Sequence, residues 1–448
     1  MQEQKKIVVG LDIGTTKVCA VVGCQNDYGN IDILGIGKAV SEGVKEGAIS
    51  NVNMTVDAIL KAVSQASEDS SVNIFAVNVG IAGKNIRCEI HRGSIIRESN
   101  ENEIQAEDVS RLTSSMYNLV TEPGWQIIHV LPQVYTIDYQ ETTKYPVGMS
   151  GARLEADFNV IFSSANNVHN IKKCVERAGL EVENLILQPL ASSLAVLSEQ
   201  EKEAGVCLVD IGGGTTDVAI FEDKILRHTA VLPFGGNIIT SDIKQGCGVL
   251  LDQAEKMKVR FGKALSSQAS ENEVVSIPSA FNRPPKEISI RNLAAIIEAR
   301  MEEIASFILK EIEIAGYRDK LAAGIVLTGG GSMLKNLAEL FEYKTGIDTR
   351  IGYPNIYLGK CKHDEVKNPQ YATAVGLVLS SFRSLDDRER TLEEAKFLSQ
   401  PYERISRQDK SLKKEIKRET EQQIPSIFSS IVKKAKELLI DDFDDKMR

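Results

Sequence analysis

Two aspartates stand at the ends of apolar runs, Asp12 in "IVVGLDIGTTKVCAVVG" and Asp210 in "VCLVDIGGGTTDVAIFE". A carboxylate in such a place is costly unless a cation or hydrogen-bond donors meet it. In each copy the aspartate leads into a glycine and threonine turn before a second apolar run resumes. Glycine lets backbone N–H groups come close to phosphate oxygens: Gly14 serves the first turn, and Gly212, Gly213 and Gly214 serve the second. Thr15, Thr16, Thr215 and Thr216 add hydroxyl donors. The divalent cation of a nucleotide, through its waters, would balance Asp12 and Asp210. Read singly, either turn would also suit a tight hairpin in which the aspartate caps its own loop. The repeat of Asp-Ile-Gly with Thr-Thr at the head of two halves favours the phosphate reading. Lys17 would touch phosphate or lie in solvent.

A third glycine loop, "LTGGGSMLKNL" (327–337), follows a strand-like run and predicts a helix starting near Ser332. A helix N-terminus there favours phosphate or adenosine contacts. Alone the loop says little, but after two Asp-Ile-Gly turns it reads as the nucleotide-clasping loop of the second half.

These turns need a scaffold. Strand-like runs at 7–12, 18–22, 31–36 and 74–81 alternate with a helical pattern at 52–67, which predicts an α/β fold. Residues 88–165 are more polar and lack a long apolar helix, so they read as an inserted subdomain; residues 1–87 and 166–205 then form a first lobe. A second lobe spans 206–383 and carries its own insertion at about 242–320, including the long amphipathic helix of "SIRNLAAIIEARMEEIASFILKEIEIAG". From Ser384 to Gln423 the chain is dense in both charges and reads as a tether, flexible or partly helical. Residues 424–443 close as an amphipathic helix.

The bulk numbers narrow the function classes. A chain of 448 residues is too long for one ordinary core. Its net charge of −9 argues against nonspecific nucleic-acid binding, so no nucleic-acid partner is expected. Seven scattered cysteines form no Cys-x-x-Cys pair, which suits a reducing cytoplasm. Cys361 and His363, two apart, are the closest Cys/His pair, too few ligands for a structural zinc site. The basic start "MQEQKK" leads into an apolar run that Asp12 cuts before a signal-peptide core forms, so secretion is not expected. No run of about 18 apolar residues exists to span a bilayer.

The order of the motifs resembles that of the actin, heat-shock chaperone and sugar-kinase superfamily. Phosphate turn 1 falls at 12–17, a first connecting helix at "ILQPLASSLAVL" (186–197), and phosphate turn 2 at 210–217. The adenosine loop falls at 328–333 and a second connecting helix at "YATAVGLVL" (371–379). Within that superfamily the chain is most similar to the FtsA family of bacterial cell-division proteins, through "GLDIGTTKV", "HNIKKCVERAGLEVENLILQPLASSLAVL", "VDIGGGTTDVAI", "LPFGGNIITSDI" and "AEKMKVRFG". The piece 88–165 sits where that family carries its own inserted subdomain. The implied fold is a two-lobed actin-like ATPase with duplicated RNase H-like lobes.

The resemblance implies roles for particular residues. ATP and Mg2+ would be the cofactors, with Asp12 and Asp210 on the hydrated cation and both turns on the phosphates. Glu255 and Lys258 would serve the ribose and adenine side, although three apart on a helix they would also suit a surface ion pair. Gly329, Gly330, Gly331, Ser332 and Met333 would close over adenosine. Gln188 stands where relatives place the residue that orients attacking water; it would otherwise be a plain helix-start residue before Pro189. Positioning without a strong base gives slow ATP hydrolysis at best.

In "IPSIFSSIVKKAKELLIDDF" (424–443), Ile424, Ile427, Phe428, Ile431, Val432, Leu438 and Leu439 share one face, an interfacial-helix pattern. The family ends in such a membrane-targeting helix. Lys433, Lys434 and Lys436 would serve headgroups, while Asp441, Asp442, Asp444 and Asp445 would be repelled by anionic lipid. The alternative is a helix that docks on the body or on another protein. One helix of this length is a weak anchor, so self-assembly would have to present many at once. The implied function is a filament-forming scaffold, peripheral on the cytoplasmic face of the inner membrane at the division site. It would tether the tubulin-like protein FtsZ and meet other divisome proteins. A pilus-assembly or shape-determining relative, or a small-molecule kinase, is the alternative.

Overall fold

The computed structural model describes residues 6–83, 85–97, 103–278 and 284–399. The first half opens on β1 (Ile7–Ile13), β2 (Lys17–Gln25) and β3 (Ile31–Val40), then a short hairpin of β4 (Val44–Lys45) and β5 (Ala48–Ile49), helix α1 (Val52–Ser70) and β6 (Ala76–Ile81). Asn51 starts α1 by accepting the Met54 N–H, and Ala58, Ile59, Ala62, Val63 and Ala66 recur at helical spacing on its buried face. Ser71 in the left-handed region ends it.

The chain then leaves this half to build β7 (Ile86–Ile96), α2 (Ala106–Met116), β8 (Trp125–Ile137), β9 (Glu141–Thr143) and β10 (Arg153–Ser164). The strands form a separate antiparallel sheet in the order β7-β10-β8-β9. Its core holds Leu112 and Met116 of α2 against Tyr135, Leu154 and Phe158. After it come α3 (Ala165–Arg177), β11 (Glu181–Leu187), α4 (Gln188–Val196) and α5 (Glu199–Ala204).

The second half runs β12 (Val206–Ile211), β13 (Thr216–Glu222), β14 (Ile225–Leu232), α6 (Gly236–Cys247), α7 (Leu251–Phe261), β15 (Val274–Ile277), β16 (Lys286–Ser289) and α8 (Ile290–Ile314). It continues with β17 (Ile325–Thr328), α9 (Leu337–Thr345), β18 (Thr349–Ile351), β19 (Leu358–Cys361) and α10 (Ala372–Ser399). Leu293, Ile297, Met301, Ile304, Ile308 and Ile312 of α8 are buried, whereas Phe307 stays exposed.

Duplication is visible in the sheets. The first is ordered β11-β6-β1-β2-β3-β19 and the second β14-β13-β12-β17-β18. In both, the opening hairpin is antiparallel to a third strand, and β1 or β12 then pairs in parallel with a strand arriving later, β6 or β17. Parallel neighbours require crossover helices, which gives each half its α/β layers.

One boundary differs from expectation. The second lobe does not run unbroken to 383, because β19 pairs in parallel with β3 of the first sheet. Gly10 of β1 faces Ala374 and Leu377 of α10 so closely that a side chain there would clash. The chain therefore returns to the first half before its end. The charged stretch beginning at Ser384 is helical through Ser399. The remainder of the expected tether and the terminal helix, 424–443 with Ile424, Ile427, Phe428, Ile431, Val432, Leu438 and Leu439, lie outside the described residues.

The inserted subdomain also touches the second half. Asn159 donates to the Leu226 carbonyl (2.8 Å) and the Arg227 carbonyl (3.0 Å), and Gln133 donates to the Leu226 carbonyl at 3.0 Å. Lys144 pairs with Asp223 at 2.7 Å. These contacts cover the outer strand, β14, of the second sheet.

Candidate functional site

The two Asp-Ile-Gly turns come from opposite halves and face each other. Each closes with the same hydrogen bond: Gly14 N–H donates to the Lys17 carbonyl and Gly212 N–H to the Thr215 carbonyl, both at 2.9 Å. A side chain at Gly213 would overlap Thr16, and a Cβ at Gly214 would come 2.6 Å from Thr15 Oγ1, so glycine is needed where the turns meet. Between them lies a pocket of about 140 Å3 lined by Asp12, Gly14, Thr15, Thr16, Lys17, Gln188, Asp210, Gly212, Gly213, Gly214, Thr215, Gly329 and Gly330.

Gln188 is the first residue of α4, and its amide donates to Asp12 Oδ1 at 3.1 Å. A Cβ at Gly80 would press against Gln188 Cγ at 3.0 Å, so the bare glycine leaves room for that side chain. Thr373, at the start of α10, donates to Asp210 Oδ2 at 3.1 Å. Lys17 donates to the Gln370 carbonyl at 2.8 Å and lies 3.8 Å from the centroid of the Tyr371 ring.

Burial pushes the Asp12 carboxyl up to about 6; Lys17 opposes the rise and Asp210 adds to it. Burial also raises Asp210, against hydroxyl donors from Thr373 and Ser192. A third carboxylate, Asp217, lies across the hairpin from Asp210 and lines the same pocket. Burial, then Asp210 and Asp12, raise it well above the usual carboxylate range, and its Oδ1 has no hydrogen-bond partner. Three crowded, desolvated carboxylates beneath two glycine turns fit a hydrated cation carried by a phosphate.

An adjoining pocket of about 390 Å3 shares Thr16, Gly212, Gly213 and Gly330 and adds Glu255, Lys258, Gly331 and Met333. Lys258 is held by Glu255 (2.7 Å), Thr240 Oγ1 (2.9 Å) and the Gly236 carbonyl (2.9 Å). Glu255 also accepts a short hydrogen bond from Thr240. Both residues thus form an ion pair and line a cavity at once.

Three expectations need correction. Thr216 does not line the pocket: it is the first residue of β13, fully buried, and its hydroxyl donates to the Phe234 carbonyl at 2.9 Å. The matching hydrogen bonds place Thr215 opposite Lys17, two positions away from the alignment of Thr15-Thr16 with Thr215-Thr216. Ser332 turns inward and donates to the Gly329 carbonyl at 2.8 Å, bracing the loop. Nor does a helix start at Ser332. Gly330–Met333 form a single 3-10 turn, and α9 begins at Leu337. Sequence reasoning missed Asp217, Thr373, Gln370 and Gly47, all of which line the phosphate pocket. Asp217 alone left a signal, a second acid at the head of the apolar run "VAIF".

Comparison with known proteins decides the family. A model of "Cell division protein FtsA" matches residues 207–376, and a model of the SHS2 domain inserted in FtsA matches 83–162. The cell division protein FtsA of Pseudomonas aeruginosa is 41% identical over 383 residues, covering 85% of this chain and 91% of that protein. Its counterpart in Escherichia coli is 39% identical, covering 84% and 90%, and that of Bacillus subtilis 36%, covering 85% and 84%. The chain belongs to the FtsA family of cell-division proteins. A model of the type IV pilus assembly protein PilM also matches residues 129–274. A PilM–PilN type IV pilus biogenesis complex superposes with a TM-score of 0.60 at 16% identity, covering 84% of this chain and 99% of that one. MreB5 of Spiroplasma citri bound to ADP superposes at 0.52 and 15% identity, covering 86% and 98%. These likenesses show the actin-like ATPase fold. The pilus-assembly, shape-determining and small-molecule-kinase readings are not favoured, because the relatives that match over most of the chain are FtsA proteins. The FtsA insertion corresponds to the sheet built by β7 to β10.

Proposed function

We propose that the chain binds ATP with Mg2+ between its two turns, self-assembles, and holds FtsZ at the cytoplasmic face of the inner membrane during division. One observation carries the nucleotide part: Asp12 and Asp210, from the two halves of a duplicated fold, share a pocket beneath facing glycine–threonine turns. The ADP bound to MreB5, a protein of the same fold, supports this reading.

In this reading the backbone N–H groups and threonine hydroxyls of both turns hold the phosphates. Asp12, Asp210 and Asp217 face the hydrated Mg2+, whose charge offsets the phosphates. Glu255 and Lys258 meet the ribose and adenine side; Gly330, Gly331 and Met333 cover the adenosine. Gln188 orients water, and the carboxylate beside it, Asp12, is engaged by the cation rather than free to act as a base, so turnover is slow and ATP acts mainly as a conformational ligand. Filament contacts then align many terminal helices on the membrane, and membership of a cell-division family supports the contacts with FtsZ and other divisome proteins.

The test is co-sedimentation with anionic vesicles in ATP and Mg2+, comparing the full chain with one ending at Gln423. Pelleting of the full chain alone supports the membrane role. Equal behaviour of the two chains rejects it and leaves the nucleotide reading to be judged by ATP titration.

A further inference from the structure

We propose that His129 is the positioning residue through which the inserted subdomain sets Gln188 in the nucleotide cleft; the inference rests on the reading of that cleft given above. His129 sits in "IIHVLPQVY" on β8, a strand of the insertion. Its Nε2 accepts the Leu187 N–H at 3.0 Å. Leu187 ends β11 and immediately precedes Gln188, the first residue of α4. The first N–H groups of a helix have no partner within it, and Leu187 makes no side-chain cap. An imidazole from another subdomain therefore supplies the acceptor.

The contact has a defined chemical state. A backbone N–H can only donate, so Nε2 must be unprotonated and the ring proton must lie on Nδ1. Burial supports this by pushing the ring's pKa down to about 4. On the far side, Gln188 donates to Asp12 Oδ1, and its stem lies against Gly80. The side chain is thus confined between Gly80 and Asp12. The backbone at 187 is the last rung of the parallel ladder between β11 and β6, opposite Ile81, and its N–H is held by His129.

The same strand reaches the other half. Four residues beyond His129, Gln133 donates to the Leu226 carbonyl, which also accepts from Asn159 of the neighbouring strand β10. One strand of the insertion thus contacts the backbone beside Gln188 and the outer strand of the second sheet. A displacement of the insertion, by an assembly contact or by movement between the halves, would reach Gln188 through His129.

The experiment uses the full chain with His129→Phe, which keeps a ring without an acceptor, and His129→Gln, which keeps an acceptor oxygen. Each is made alone and with Gln188→Ala. Amide exchange of the segment 185–190 is followed without nucleotide, and kcat and KM for Mg·ATP are measured with it. His129→Phe is expected to speed exchange at Leu187 and to lower kcat, each about tenfold, with KM changed by less than about twofold. His129→Gln is expected to restore both to within about threefold. With Gln188→Ala in place, His129→Phe should cause no further loss of kcat, because the two residues act in series. Multiplied losses in the double variant, no rescue by glutamine, or unchanged exchange would each overturn the proposal. If the unaltered chain neither binds nor turns over ATP, the cleft reading falls and the proposal with it, while exchange still reads the His129–Leu187 contact.

Discussion

Asp210 and Asp217 face each other across one rung of the β12–β13 hairpin, and both are buried. Directly opposed residues of an antiparallel pair project to the same side, so two carboxylates share one desolvated space with Asp12 nearby. Like charges so placed hold protons more tightly, and a cation relieves them. The pair is therefore a source of instability that a bound cation would turn into affinity.

Replacing Asp217 with asparagine removes one charge from the cluster at nearly constant shape. The thermal midpoint without nucleotide is expected to rise by about 2–4 °C. Affinity for Mg·ATP is expected to fall about tenfold, with most of the Mg2+ dependence lost. Calorimetry and ATP titration check the two signs, and equal affinity in the variant would remove Asp217 from the cation site.

The Asp12 carboxyl, raised to about 6, gives the cleft a pH dependence. If Mg·ATP is held by the ionised form, as proposed, affinity is expected to level off above about pH 7 and to weaken about tenfold by pH 5. Stability without nucleotide has the opposite sign. A carboxyl whose folded pKa is raised contributes stability below its ordinary value of 3.8, and that contribution is lost as pH rises through about 6. Titrations and unfolding midpoints at matched pH read the two trends.

Lys17 opposes the rise at Asp12 and also ties the first turn to Gln370 and Tyr371. Lys17→Met is expected to move the pH profile of ATP binding toward alkaline values. It should also cost about 1–2 kcal/mol of stability through the lost hydrogen bond and ring contact. A profile unchanged in midpoint would show that Lys17 exerts no electrostatic hold on Asp12.

Asn159 is 1% exposed and donates to two carbonyls of β14. Asn159→Ala removes the donor to the Arg227 carbonyl and leaves the Leu226 carbonyl to Gln133, and is expected to cost about 2 kcal/mol, read as a lower denaturant midpoint. Lys144→Ala, which breaks an exposed pair with Asp223, is expected to cost less than about 1 kcal/mol.

Much of this arrangement was legible in the chain itself. Apolar runs broken by Asp-Ile-Gly announced both hairpins, and their repetition announced two halves, because a buried acid followed by glycine has few bland explanations. The offset of Thr216 was not legible. Matching Thr-Thr letters suggested one register, whereas the hydrogen bonds from Gly14 to Lys17 and from Gly212 to Thr215 impose another. Asp217 was hidden by position, since an acid at a strand start usually faces water. The return of β19 to the first sheet was hidden because parallel pairing across more than 300 residues leaves no local pattern. Likewise, the contact of Gln188 with Asp12 joins residues from different elements, and only motif order suggested it.

The covering of β14 by Asn159 and Gln133 has a consequence for growth of any polymer. An open sheet edge is a template on which another chain can add a strand. Here side-chain amides already occupy the Leu226 and Arg227 carbonyls, so that edge is sealed where the insertion lies on it. The inserted subdomain thereby acts as a guard against runaway strand pairing at this site, so any copy-to-copy contact here would have to be made by side chains.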